Sequence, residues 1–465
     1  MELKNQRVIV VDGASAASLA KAVKAAGGEP AIVPTGEAAA LILAGEAPVV
    51  VFSGCGQIPA MLDAAAMDGR RTQLRRRLAE ITVVASGTDA DGSLRDFGVY
   101  PALQAAEEDL AGAMTVAAPA ASGGWDETPF MRACRGLGVP WTPVWLMRQA
   151  GRYLEEYRRI RAQVSMLELC RSPDLVSEVT VHAAETLNVD AAIIFADLLL
   201  IVEPLGLKLE YLAGEGPAIT PPVRDGAAVD RLREVEPAEL SYVHDAIRQT
   251  RADLVGRIPL IGFAGAPFTV ASYVVEGGAS RNFLHTKTFM YGHEGAWNAL
   301  MEKVVRGTIT YLEGQVEAGA QALQLFDSWV GCLSPADYQR YVQGHTARLL
   351  AALPAEVPVI HFGTGTGDLL PHMRKAGGTV LGADWRVDLD VAWERVGHDL
   401  PIMGNLDPLI LFAPQSIMQR EVERILAQAG GRPGHIFNLG HGILPGTPVN
   451  NVRRLVDLVH ELSSS

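Results

Sequence analysis

The chain has 465 residues, of which 40 are Lys or Arg and 53 are Asp or Glu, a formal charge of −13. Apolar residues make up 48% and charged residues only 20%, which is ample for a packed core and excludes a disordered or fibrous protein. So acidic a chain has no basic footprint for nucleic acid, and any anionic ligand has to be captured by a local cluster of cations against the overall field.

At roughly 100–200 residues per domain, the length predicts two or three units, or a small domain beside a large barrel. Residues 1–7 are polar and the apolar run 8–11 is too short for a secretory core. Apolar runs at 8–11, 31–34, 49–52 and 81–85, with helical patterning at 19–26, predict a small α/β unit over residues 1–112. Residues 113–126 are rich in small side chains, with Pro119 and the pair Gly123-Gly124, and read as a linker.

From residue 127 to 465 short apolar runs recur at 144–147, 191–195, 260–264, 322–326, 359–362, 380–383, 402–404 and 436–439. Helical stretches separate most of them, the clearest at 296–320, where Leu300, Val304, Val305, Ile309, Leu312 and Val316 fall at three- and four-residue steps. The pattern predicts the α/β class, a (β/α)8 TIM-type barrel preceded by the small α/β domain, with an open doubly wound sheet as the alternative. The apolar stretch 191–207 is broken by Asp197 and Glu203, so it is not expected to span a membrane. The four cysteines, Cys55, Cys134, Cys170 and Cys332, form no CxxC pair, which fits reduced thiols in a cytoplasmic protein.

A barrel places its reactive groups just past the C-terminal ends of its strands. The groups there are Arg148, Asp197, residues 266–268, Asp327 and Ser328, residues 361–367, Asp384, residues 405–407 and His441. In Trp145-Leu-Met-Arg-Gln-Ala-Gly-Arg-Tyr153 a helical turn would bring Arg148 and Arg152 to one side as a clamp for carboxylates or phosphates. Arg158 and Arg159 read instead as a solvated helix face with Glu155 and Glu156 as partners. Asp197 is costly to bury unless paired; it is either an internal partner of an arginine or an acceptor of ligand N–H groups that steadies a developing positive charge. His441 lies in a glycine-rich loop followed by Thr447, expected as an N-cap, and Pro448 at the first helical position. Phe362-Gly-Thr-Gly-Thr-Gly367 has the look of a phosphate cradle but lacks P-loop and GxGxxG spacing. Tyr273 fits either core or site.

Taken together, these stretches resemble the uroporphyrinogen decarboxylase family. The motifs run in order from Glu127 to Leu462: Met147-Arg-Gln-Ala-Gly-Arg-Tyr153, Phe195-Ala-Asp197, Gly265-Ala-Pro-Phe-Thr269, Ser272-Tyr-Val-Val-Glu-Gly277, Leu325-Phe-Asp-Ser328, Gly382-Ala-Asp-Trp385, Gly404-Asn-Leu-Asp-Pro408 and Asn438-Leu-Gly-His-Gly442. One departure is Phe195-Ala-Asp197, where many members carry Phe-Ser-Asp. The resemblance implies a homodimeric barrel without cofactor or metal. It implies an enzyme that decarboxylates the four acetate side chains of uroporphyrinogen III to give coproporphyrinogen III and CO2 in heme biosynthesis. Carried over by motif, the catalytic residues are Asp197 and Arg148, and the substrate-binding set adds Arg152, Tyr273, Phe326, Ser328 and His441.

Two other readings fit parts of the sequence. A zinc-dependent corrinoid or thiol methyltransferase of the same barrel superfamily would need thiolate ligands; His361-Phe362-Gly363 stands where a His-x-Cys pair is expected. A non-catalytic tetrapyrrole-binding protein would be favoured by loss of Arg148 or Asp197, and both are present. The unit 1–112 resembles, more faintly, one lobe of uroporphyrinogen-III synthase, in residues 49–53, 74–86 and 94–98. That synthase binds its linear substrate between two lobes, so a single lobe is not expected to be active.

Overall fold

The computed structural model describes strands at 7–11, 29–33, 49–52, 82–86 and 103–105, and residues 125–464 apart from 213–215 and 255–257. The chain divides into two compact units, Met1–Gly124 with Asp253–Val255, and Trp125–Ala252 with Gly256–Ser465.

In the first unit, β1 (Arg7–Val11), β2 (Glu29–Val33), β3 (Val49–Phe52), β4 (Thr82–Ser86) and β5 (Leu103–Ala105) pair in parallel in the order β2-β1-β3-β4-β5. The first four coincide with the Val- and Ile-rich runs expected to be strands. β5, with the sequence Leu-Gln-Ala, carries no β-branched residue to announce it. The helix expected at 19–26 and the expected linker up to residue 124 lie outside the described residues.

The second unit contains β6 (Ala192–Ile193), β7 (Lys208–Leu212), β8 (Gly216–Thr220), β9 (Leu260–Gly265), β10 (Ala322–Asp327), β11 (Val359–Gly363), β12 (Val380–Gly382), β13 (Ile402–Met403) and β14 (His435–Ile436). β7 and β8 form an antiparallel hairpin within the long excursion after β6. The other seven form one parallel sheet in the order β14-β13-β12-β11-β10-β9-β6. Its ring is closed by a single residue: Val144 bridges Phe437 in parallel, while the Asp190 N–H donates to the Val144 carbonyl at 2.8 Å.

The strand expected at 144–147 is therefore reduced to a bridge, and the reason lies in who accepts its N–H groups. Side chains replace the neighbouring strand: Asp190 Oδ2 accepts from Val144 (2.7 Å), Gln149 Oε1 from Leu146 (3.3 Å) and Asn438 Oδ1 from Met147 (3.2 Å). The strands expected at 191–195, 380–383, 402–404 and 436–439 are likewise shorter than their apolar runs, although a further bridge joins Leu406 to Leu439.

Inside the barrel, register and alternation point Phe263, Phe326, Phe362 and Met403 inward. Phe326 meets Phe263 and Phe362 edge-on, with ring centroids 5.6 and 6.3 Å away. Gly382 has to be a glycine here, because a Cβ would lie 2.8 Å from the Phe362 ring. Outside, α1 (Pro173–Leu187), α2 (Pro267–Glu276), α3 (Glu294–Glu317) and α4 (Val449–Ser463) pack on the sheet. α3 buries Leu300, Val304, Val305 and Leu312 of the predicted stripe. α4 begins at Val449 with Pro448 as its N-cap; Thr447 does not cap it but donates its hydroxyl to the Leu444 carbonyl at 2.8 Å. No helix among the described residues is long and apolar enough to cross a membrane.

Asp190 is the clasp of the barrel seam. Besides Val144, its carboxylate accepts from the Trp141 indole (2.9 Å) and from His460 Nε2 on α4 (2.8 Å). Burial opposes charge on His460, but the hydrogen bond and the charge of Asp190 outweigh it and raise the imidazole pKa. A raised histidine pKa stabilises the fold below the unfolded value of about 6.5, and that contribution fades as pH climbs through the folded pKa. We expect Asp190→Ala to cost about 3 kcal/mol, with calorimetry showing a larger loss of barrel Tm at pH 6 than at pH 9.

Candidate active site

The C-terminal ends of the strands gather most of the polar groups picked out from the sequence. Arg148 follows the seam residue Val144 in a tight turn at φ 61°, a left-handed conformation rare for a side chain of its size. The turn is not helical, so the expected helical pairing of Arg148 with Arg152 is replaced by a bend. The two guanidiniums nonetheless share a neighbourhood. The Arg148 pKa is lowered first by burial and then by the charge of Arg152, against the opposing pull of Tyr273 and Asp197. Arg148 is exposed to solvent, although burial still counts against its charge.

Gly442 makes room for that side chain. A Cβ there would stand 2.4 Å from Arg148 Cδ and 2.5 Å from Cγ, so the glycine-rich loop after β14 exists at this point to let an arginine stem lie across it. The N–H of Gly442 also donates to His441 Nδ1 at 2.6 Å, which leaves Nε2 to carry the proton of the neutral ring. Burial, then the charges of Arg148 and Arg386, push the His441 pKa down to about 4, against a smaller opposing effect of Asp384. His441 is thus a neutral donor beside cations.

Asp197 reaches the same space because the ladder between β6 and β9 is interrupted. After Ile194 donates to Ile261 at 3.0 Å, the Phe195 N–H turns to Thr180 Oγ1 on α1 (3.0 Å). The facing groups of Phe263 are taken by one side chain: Gln315 of α3 accepts from its N–H at 2.8 Å and donates to its carbonyl at 2.9 Å. This is why the strand expected at 191–195 stops at Ile193 and delivers Asp197 into the mouth. The carboxylate accepts from the Leu199 N–H at 2.9 Å. Burial raises its pKa, with Tyr211, the Leu199 N–H and the charge of Arg148 pulling the other way. The Tyr211 hydroxyl lies near enough to act on the carboxylate, but it makes no hydrogen bond of ordinary geometry and is sealed from solvent.

Tyr273, on α2, is not sealed in the core: it is half-exposed, its phenol pKa is pushed up to about 12 by burial and by Asp197, and its ring stacks on Trp329 at 3.7 Å. Phe326 is half-exposed at the top of the aromatic layer and Ser328 follows it by two residues, half-buried at the tip of β10. Asp327 points the other way; Thr269 of α2 donates to it at 2.8 Å, and burial raises its pKa to about 7. Arg152 is exposed, and its backbone carbonyl is held by Arg158 Nη1 at 2.9 Å. Arg158 also holds the Tyr153 carbonyl at 2.8 Å, so it braces the turn, while Arg159 pairs with Glu156 and Glu178 as a surface residue. The loop 362–367 is occupied from within, for the Gly365 N–H donates to Asp384 Oδ2 at 2.6 Å. Among the described residues, no group of three or more His, Cys, Asp or Glu side chains is placed to hold a metal ion.

Sequence reasoning overlooked Tyr211, Trp329 and Arg386. Tyr211 sits in the excursion where no strand was expected, and nothing in its own neighbourhood marks it. Arg386 could have been found, since it lies two residues beyond Asp384, which was noted.

With this geometry in place, likeness to known proteins is decisive. The family described as Uroporphyrinogen decarboxylase (URO-D) matches residues 126–462. The chain belongs to the uroporphyrinogen decarboxylase family. A relative named uroporphyrinogen decarboxylase from Sorangium cellulosum is 55% identical over 335 residues, 72% of this chain and 96% of the relative. One of the same name from Koribacter versatilis is 53% identical over 337 residues, again 72% and 96%. Among solved structures, a methyltransferase from Methanosarcina mazei matches with a TM-score of 0.60 and 18% identity over 72% of this chain and 98% of its own. That likeness speaks for the barrel alone.

Gly442→Ala should displace the Arg148 stem without unfolding the barrel. The expected result is a fall of at least about tenfold in kcat/KM with Tm within a few degrees of wild type, measured by steady-state kinetics beside calorimetry.

Proposed function

We propose that this protein removes the acetate carboxylates of uroporphyrinogen III to give coproporphyrinogen III and CO2, with Arg148 and Asp197 as the catalytic pair. What supports the reading is proximity of charge: Arg148 and the half-buried Asp197 are near enough for each to act on the other, and the charge of Arg148 also reaches Tyr273 and His441. Family membership supplies the substrate class.

The chemistry needs an electron sink. Loss of CO2 from an acetate breaks a C–C bond whose electron pair would otherwise stay on carbon. Protonation of the adjoining pyrrole on a ring carbon provides the sink. The pair moves into the ring as CO2 departs, and a proton added at the exocyclic carbon, with loss of the ring proton, leaves a methyl group. In this scheme Asp197 accepts the pyrrole N–H groups and stabilises the cationic ring, and Arg148 anchors the reacting carboxylate. Arg152, the Nε2–H of His441, Tyr273 and Ser328 orient the remaining carboxylates, and Phe326 supplies a flat wall.

Asp197 works at a cost. A buried carboxylate with a raised pKa is less stable folded than unfolded once pH exceeds about 3.9, and the deficit stays at higher pH. Asp197→Asn should therefore lower kcat by at least about 100-fold while leaving Tm unchanged or higher. Near-wild-type turnover would remove the electrostatic role. The acid limb of kcat/KM in the wild type is expected above the ordinary aspartate range. Arg152→Ala should raise KM roughly tenfold with little change in kcat. The activity itself is tested by anaerobic incubation with uroporphyrinogen and separation of the hepta-, hexa-, penta- and tetracarboxylate products.

We also propose the division 1–112, linker 113–126 and barrel 127–465, with the first part a single lobe resembling uroporphyrinogen-III synthase and inactive alone. Its all-parallel strand order β2-β1-β3-β4-β5 supports an α/β lobe, and conversion of hydroxymethylbilane to the type III isomer by the purified protein would overturn the inactivity. A cytoplasmic homodimer is the expected form, in keeping with the family and with the free thiols of Cys134, Cys170 and Cys332.

A further inference from the structure

We infer that Arg386 is an additional carboxylate-gripping residue of the barrel mouth, aimed beside His441 by Asp384 and Trp385; this rests on the function proposed above. The residue follows β12, on the side of the barrel reached by the loop after β14. Its guanidinium lies over the Trp385 ring, 3.8 Å from the centroid, and the same indole is 6.4 Å from the His441 ring. The His441 loop is pressed against this unit: a Cβ on Gly440 would stand 2.3 Å from the Trp385 backbone nitrogen. Arg386 is therefore fixed relative to His441 through one shared aromatic plate.

Contacts made by Asp384, Gly365 and Asn405 hold the device rigid. Asp384, almost fully buried, forms an ion pair with Arg386 Nη1 and accepts from the Arg386 N–H at 3.2 Å. Its Oδ2 is braced by the Gly365 N–H at 2.6 Å. Asn405 Nδ2 spans the segment, donating to the Asp384 carbonyl at 2.9 Å and the Val387 carbonyl at 2.6 Å. Every side-chain hydrogen bond shown for Arg386 uses Nη1, and its side chain is 52% exposed, so Nε and Nη2 remain to meet a planar anion in the forked geometry that guanidinium provides. An arginine that merely neutralised Asp384 would have no need of an indole plate shared with His441. Its charge also reaches His441, whose protonation it opposes. A substrate with carboxylates around a macrocycle requires cations at several points of the rim, and Arg386 provides one on the loop after β12.

The test uses the full-length protein and R386A, R386Q and R386K. Two readouts are taken: steady-state kinetics with uroporphyrinogen, and binding of uroporphyrin, the oxidised octacarboxylate, followed by fluorescence. R386A and R386Q should raise both KM and the uroporphyrin Kd roughly tenfold, as expected for one lost charge-assisted contact. kcat should stay within about threefold, the dependence of Kd on salt should become shallower, and R386K should recover part of the loss. R386K and R386Q keep a donor toward Asp384, so the test survives if R386A is poorly folded. Unchanged Kd and KM in folded R386Q and R386A, with wild-type turnover intact, would overturn the role of Arg386 and leave the proposed function standing. A wild type that neither turns over uroporphyrinogen nor binds uroporphyrin would overturn both.

Discussion

Arg148 and Asp197 lie close enough for each charge to act on the other, and much of the local architecture answers to the difficulty of holding the two there. Burial acts against both, lowering the arginine pKa and raising that of the aspartate. Each offsets part of the other's penalty, and among the described residues neither makes a direct ion pair. Arg148 holds a left-handed backbone and lies across a glycine, and Asp197 needs an interrupted sheet. These local departures from ordinary geometry are concentrated at the mouth, where a reactive site has most use for them.

The departures are possible because side chains repeatedly stand in for strands. Asp190, Gln149 and Asn438 accept N–H groups that a complete first strand would have passed to its neighbours, and Thr180 and Gln315 do the same where β6 breaks off. These side-chain acceptors let the barrel close, among the described residues, with seven hydrogen-bonded strands and one bridge. The chain can then leave the sheet early on both sides of the mouth, and the two early exits carry Arg148 and Asp197.

Much of this was legible in the residues. Runs such as 260–264, 322–326 and 359–362 became β9, β10 and β11 with nearly the expected bounds, because Val, Ile, Leu and Phe on both faces of a parallel strand leave a continuous apolar signature. The seam was not legible: Val144, Trp145, Leu146 and Met147 are as apolar as any strand, and only distant acceptors such as Asn438 decide that they do not form one. The helical turn expected for Arg148 and Arg152 failed for the same reason, since Gly442, far along the chain, determines where the arginine stem can lie. Tyr211 was invisible because its importance is purely positional, a hydroxyl carried by a hairpin to the side of Asp197. Asp384 was noted as a strand-end carboxylate; that it props Arg386 against an indole is a matter of packing that no spacing encodes.

The amide of Gln315 has an experimental consequence of its own. Both ladder groups of Phe263 are closed by a side chain from α3 and not by another strand. Deuterium uptake at the Phe263 amide would accordingly report the undocking of one long helix, whereas uptake at Leu323, whose N–H donates to the Pro358 carbonyl at 2.8 Å, would report the parting of strands. Comparing the two protection factors would separate helix release from sheet opening within a single barrel.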